Sequence, residues 1–412
     1  MRIIMTIAII LDIVLAAAAT QPCTPAKSPQ LDAEITRFEN QLKTTPDDPV
    51  LLYNLAADYG EKCDSARTLV LLHKIADGDS GLDPAQYRDF VFMRDTAEFQ
   101  AITAQIRRKN PARIQSKPAF VIKEPGLIPE GMAYARFNGR LYAGSMAKRK
   151  IVWTDKTGEL HDLVKPGADG LGRVLGLHVD EARKQLWAVS SVFGIVPTPA
   201  EMVPGLFKYD LTTGKFASIY RASDKDAGFN DVTLVPSSGE AYTTDPPQGT
   251  VYVARNGSRE LERLLPAGTV PGANGIALSD DEKTLFVAGD FGITRVDLRT
   301  KSAILLPTPA GVIDASMDGL YFYRQSLVGI QNAIHPGRVM RFYLDPVLAR
   351  VTRAEILETY NPLFEQPTTG SLDGDSLLFM ANTQLFRWSP DKPMPPMNEL
   401  HDIQVLRIAL KE

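Results

Sequence analysis

Four polar side chains, Glu130, Asn230, Asn274 and Asp318, stand at a common phase of a recurring pattern, and three of them directly precede a glycine. Two carboxylates and two amide carbonyls are hard oxygen donors, a set that suits Ca2+ or Mg2+ better than zinc. Zinc also lacks ligands, because His73, His161, His178, His335 and His401 show no metal-binding spacing. Asn-Gly and Asp-Gly are common turn signals, so any one of these positions alone reads equally well as a turn. Their joint phase is harder to explain as turns. Asp231 and Asp314 are close alternatives in the same register.

The phase belongs to a repeat. Glu130, Leu175, Asn230, Asn274, Asp318 and Thr369 each open a short strand-like run, at intervals of 45, 55, 44, 44 and 51 residues. Roughly 40 to 50 residues is the period of a propeller blade. Each start is followed by a second strand-like run, such as Arg140 to Gly144, Gln185 to Ala188 or Thr284 to Ala288. Third and fourth runs follow in order, as in Gly205 to Asp210 and Gly292 to Asp297, so four strands per blade and six blades are expected. In that architecture the first strand of every blade lines the central channel, which brings the four polar residues together near the axis. The runs Ala119 to Ile122 and Ile403 to Leu410 lie outside the six units. One of them is expected to complete the sixth blade and close the ring, removing exposed sheet edges.

The segment in front reads differently. Leu31, Ile35, Phe38 and Leu42 recur at helical spacing, Pro46 and Pro49 interrupt, and Leu51, Leu55 and Tyr59 begin a second helix. Further helices are expected near Ala66 to Ile75 and beyond Pro84. Paired amphipathic helices of this kind resemble a tetratricopeptide-like array, so the expected organisation is a helical domain over 24–115 and a six-bladed β-propeller over 117–412. Residues 1–19 read as a signal peptide: Arg2, an apolar run from Ile3 to Leu15 interrupted by Asp12, and a small-residue end at Ala17 to Ala19. The run is shorter than the roughly 20 residues of a membrane span. The mature chain is therefore expected to be exported, periplasmic or secreted, with no membrane span. Cys23 and Cys63, the two cysteines, are then expected to form one disulfide in an oxidising compartment.

A net charge of -4 across 412 residues supplies no polyanion-binding field, which excludes nucleic acid as an expected partner. The sequence contains no Gly-x-Ser-x-Gly elbow, phosphate-cradling loop or dinucleotide fingerprint.

The runs Pro129-Glu130-Gly131, Phe229-Asn230-Asp231, Ala273 to Ser279 and Met317-Asp318-Gly319 resemble the four metal-site motifs of the senescence marker protein/gluconolactonase family, also called the regucalcin family. The resemblance covers residues 120 to 410 and says nothing of the helical front. It implies a six-bladed propeller with a divalent cation, usually Ca2+, in the channel, and hydrolysis of a lactone or related ester. Carried over motif by motif, Glu130, Asn274 and Asp318 would hold the metal, and Asn230 would touch substrate or the attacking water. Asp318 would also be the candidate general base, provided an oxygen remains free. Gly228 stands where sugar-lactonase members carry an arginine, which puts a sugar-acid lactone in doubt. The competing reading is a non-catalytic exported propeller in which the cation stabilises the channel. A protein or small molecule would then bind elsewhere, the helical domain being the surface for a protein partner.

Overall fold

The computed structural model describes residues 23–192, 201–224, 227–389 and 392–411. The signal-peptide reading of residues 1–19 lies outside them. Among the described residues no helix is long and apolar enough to cross a membrane.

Four helices come first: α1 (Pro29–Leu42), α2 (Pro49–Glu61), α3 (Ser65–Asp77) and α4 (Ala97–Lys109). Each begins where an oxygen-bearing side chain satisfies a free backbone N–H: Ser28 for α1, Asp48 for α2, Asp64 for α3 and Thr96 for α4. Proline at the first position of α1 and α2 costs no hydrogen bond there. Between α3 and α4 the chain runs through short 3-10 turns at Pro84–Gln86 and Arg88–Met93. Consecutive α-helices pack together around Phe38, Leu52, Tyr53, Leu72, Phe90, Phe99 and Ile102, all buried. Cys23 and Cys63 are disulfide-bonded, closing a loop with a sequence separation of 40 around α1 and α2.

The strands form six four-stranded antiparallel sheets. Each is a meander whose innermost strand comes first in sequence in blades one to five: Pro129–Ala135, Arg173–Asp180, Val232–Leu234, Ile276–Leu278 and Met317–Phe322. Each inner strand touches that of the next blade, and the sixth, Gly370–Asp373, touches the first. The architecture is a six-bladed β-propeller preceded by a small helical region. The sixth blade corrects one expectation. Both outlying runs complete it: Ile403–Ala409 is its third strand and Lys117–Ile122 its outer one. The ring is thus closed by pairing the first strand of the propeller with the last, which protects both edges.

The glycines after the polar residues are not turn glycines. Neither Gly131 nor Gly275 has a left-handed backbone; each lies where a neighbouring blade comes too close for a side chain. A Cβ at Gly131 would stand 1.7 Å from Leu175 O, and one at Gly275 would stand 2.3 Å from Asp318 O. The polar-Gly pattern therefore marks the seams between blades around the channel.

Candidate functional site

Glu130 sits in the first inner strand and Asp318 in the fifth, while Asn230 and Asn274 each lie two residues before the start of the third and fourth. Glu130, Asn230 and Asp318 are buried, at 4%, 2% and 7% exposure, and Asn274 is half-buried. The structure brings Glu130 and Asn274 each beside the Asp318 side chain, close enough to act on its carboxyl. Asn332 Nδ2 donates to Asp318 Oδ2 at 2.6 Å. Asn230 is held by its backbone, its N–H donating to Thr244 O at 3.0 Å and its carbonyl accepting from Gly176 N at 2.8 Å.

Three of these side chains end in a buried oxygen with no hydrogen-bond partner: Glu130 Oε2, Asn230 Oδ1 and Asn274 Oδ1. A buried acceptor without a donor costs about 1 to 3 kcal/mol. Carboxylates surround them. Burial first, then the Asp318 and Asp231 charges, hold the Glu130 carboxyl well above its usual range. Burial raises Asp318 too, against the pull of the hydrogen bonds from Asn332, Glu130 and Asn274. Among the described residues no basic side chain acts on Glu130, Asp231 or Asp318. Orphaned acceptors and crowded acids with no counter-charge are a donor set that fits a hard divalent cation. Among the described residues no three His, Cys, Asp or Glu side chains form a metal-holding group by themselves; one of the three candidate ligands, Asn274, is an amide.

The alternatives in register have structural duties. Asp231 accepts from Val232 N at 2.8 Å and from Ile276 N at 3.3 Å, tying the third blade to the fourth. Burial pushes its pKa up to about 7. Asp314 accepts from Ile293 N at 3.4 Å beside Gly292, and burial raises it to about 6. His178 Nδ1 lies 3.3 Å from Val232 O and burial lowers its pKa, as for a histidine wedged between blades two and three.

Two site residues escape sequence reasoning. Tyr321, three residues after Asp318, accepts from Gly370 N across the seam to blade six. Burial, then the Asp231 charge, raises its pKa well above the usual phenol range, so it remains a neutral hydroxyl. Asn332 lies outside the repeat phase, just after the strand Ser326–Gln331. It follows Gln331, itself polar, so nothing in the local pattern marks it.

No protein-family model and no curated protein matches the sequence. The fold is similar to that of a gluconolactonase from Xanthomonas campestris, at 16% identity over 72% of this chain and 98% of that one, TM-score 0.47. It is similar to the PQQ-bound aldose sugar dehydrogenase of Streptomyces coelicolor, at 16% identity over 72% and 98%, TM-score 0.46. It is also similar to virginiamycin B lyase of Staphylococcus aureus, at 13% identity over 64% and 81%, TM-score 0.46. Likenesses of this size assign no activity.

Proposed function

We propose that the protein is a divalent-cation-dependent hydrolase of a lactone or related carboxylic ester, working in the propeller channel after export. The observation that carries this reading is the set of unpartnered buried oxygens on Glu130, Asn230 and Asn274, all at or just before inner strands, with the Glu130–Asp318 acid pair facing no basic side chain among the described residues. The resemblance of the four motifs to the gluconolactonase family supports it.

Glu130, Asn274 and Asp318 would hold the cation, with Ca2+ the leading candidate and Mg2+ the alternative. When bound, the cation supplies Lewis-acid polarisation of an ester carbonyl and acidifies water at the site. Asn230, whose side-chain oxygen is uncommitted, orients the substrate or the attacking water. Asp318 takes one proton from that water and returns it to the leaving alkoxide oxygen as the acyl C–O bond breaks, giving a hydroxy acid from a lactone. Asn332 keeps the Asp318 carboxylate aimed while it does so.

Metal content of the purified chain, followed by a lactone and ester panel with and without chelator, tests the reading. One divalent ion per chain and chelator-sensitive hydrolysis are expected. Turnover that survives chelation, or a bound ion with no turnover on any lactone or ester, refutes it.

A further inference from the structure

The short connection 332–337 joins the second and third strands of blade five, Ser326–Gln331 and Arg338–Leu344. Met317 pairs with Gln331, so this connection lies at the end of the blade that carries Asp318. Its first residue, Asn332, donates to Asp318 Oδ2 at 2.6 Å. The residues that follow belong to the helical region as much as to the propeller. Ile334 is fully buried in the core of the helices, together with Ile313 from the loop before Met317. Tyr87 packs its ring edge against His335 at 4.4 Å and donates to Ala333 O at 3.5 Å. The Asp83 N–H donates to His335 O at 2.9 Å. Behind the connection, buried Arg338 links the two parts, donating to Ser80 O at 2.8 Å and to Gln331 Oε1 at 2.7 Å. Gln331 in turn donates to Ile313 O and Ala315 O, at 3.0 and 2.7 Å, in the segment leading to Asp318.

We propose that the helical region is a brace for the channel site: by gripping the connection 332–337 it holds Asn332, a positioning residue, which fixes the Asp318 carboxylate for the cation. The proposal rests on reading the channel as a divalent-cation site. A side chain that orients a ligand carboxylate through a hydrogen bond is worth about 10- to 100-fold in metal affinity. The helices reach the same carboxylate through packing, one step further away.

The test uses the full chain and Ca2+ as probe, with affinity read by titration calorimetry and backbone order at 317–321 read by hydrogen exchange. Asn332→Ala is expected to weaken Ca2+ about 10-fold or more. Tyr87→Leu, which touches neither Asp318 nor Glu130, is expected to weaken it at least about 3-fold and to speed exchange at 317–321. Tyr87→Phe, which keeps the ring on His335, should restore both. The double variant Asn332→Ala with Tyr87→Leu should bind no worse than Asn332→Ala alone, because both act through one carboxylate. If Tyr87→Leu fails to fold, Ile334→Ala replaces it. Wild-type affinity and unchanged exchange in the folded brace variants overturn the brace. Faster exchange in the brace variants, alongside a wild-type chain that binds neither Ca2+ nor Mg2+, instead overturns the cation reading while leaving the mechanical link standing.

Discussion

Gly275→Ala separates a blade seam from a turn. At a turn with open space around it an added methyl changes little, but here the new Cβ would stand 2.3 Å from Asp318 O, 2.8 Å from Leu320 N and 3.0 Å from Gly319 C. All three are backbone atoms, so no side chain can swing away. Ordinary contact begins near 3.4 Å, which forces the strand bearing Asp318 outward by about 1 Å. Overpacking of this kind costs about 1 to 3 kcal/mol of stability. A displacement of about 1 Å at a reacting group costs about 100-fold in turnover, and loss of ligand orientation about 10- to 100-fold in cation affinity. Urea unfolding gives the first quantity and calorimetric titration with Ca2+ the last. Leu285→Ala is the control: Leu285 is fully buried in blade four, and its truncation costs about 2 to 5 kcal/mol without touching the ring around the channel. The expected result is weak cation binding in Gly275→Ala and near-normal binding in Leu285→Ala. Equal affinities in the two folded variants would refute the reasoning that the glycine sets the position of Asp318.

Asp318→Asn removes a ligand charge and the proton acceptor together; hydrolysis should fall below detection and Ca2+ affinity by about 100-fold, and full turnover in this variant would sink the proposed mechanism. Acid should loosen the chain through His335, whose pKa burial lowers to about 4 from the usual histidine value near 6.5, with Asp83 the facing charge that acts upward. The unfolded chain then binds the extra proton as pH falls below about 6.5. Stability present at neutral pH is lost by up to about 2 kcal/mol at pH 5, an upper bound because His335 keeps some solvent contact. Urea midpoints for wild type and His335→Phe at the two pH values check this, and identical pH dependence in both excludes His335 as the source. Reducing Cys23–Cys63 releases a loop with a separation of 40 and should cost about 4 kcal/mol by chain entropy. Unfolding followed with and without reductant should place that loss in the helical region, and an unchanged midpoint would count against it.

The propeller was legible because its signal is periodic. A phase that returns six times survives local irregularities, such as the short inner strands Val232–Leu234 and Ile276–Leu278. The site residues inherit that legibility, since Glu130, Asn230, Asn274 and Asp318 sit on the phase itself. Ring closure was read only in part: the run before blade one and the run after blade six pair with each other, Lys117 opposite Arg407 and Ile122 opposite Ile403, and no local pattern encodes that pairing. Tyr321 and Asn332 were missed for a related reason. Tyr321 acts by reaching into the next blade, and Asn332 lies in a connection whose course is fixed by helices more than 200 residues earlier. The helical period of the front was plain, yet where the helices dock depends on Ile313 and Ile334, two apolar residues in loops that resemble any others.

Energetics distinguish a site from a well-packed channel. A channel selected only for stability would fill its axis with apolar side chains or with hydrogen bonds that close on one another. Among the described residues this one keeps Glu130, Asp231 and Asp318 buried with no basic side chain acting on them and leaves three oxygens without donors. Each uncompensated acid opposes folding in the absence of a cation, while the Asp231 hydrogen bonds to Val232 N and Ile276 N recover part of that cost at one seam. Among the described residues Glu130 and Asp318 have no comparable backbone donors; the Asn332 amide is what holds Asp318. The unpaired charge is therefore concentrated on the residues that the sequence phase singles out, with the acid of the neighbouring seam tied into the fold. A cation bound there would relieve the repulsion and order the ring at once, so ligand-dependent stability and ligand-dependent chemistry would share one physical origin.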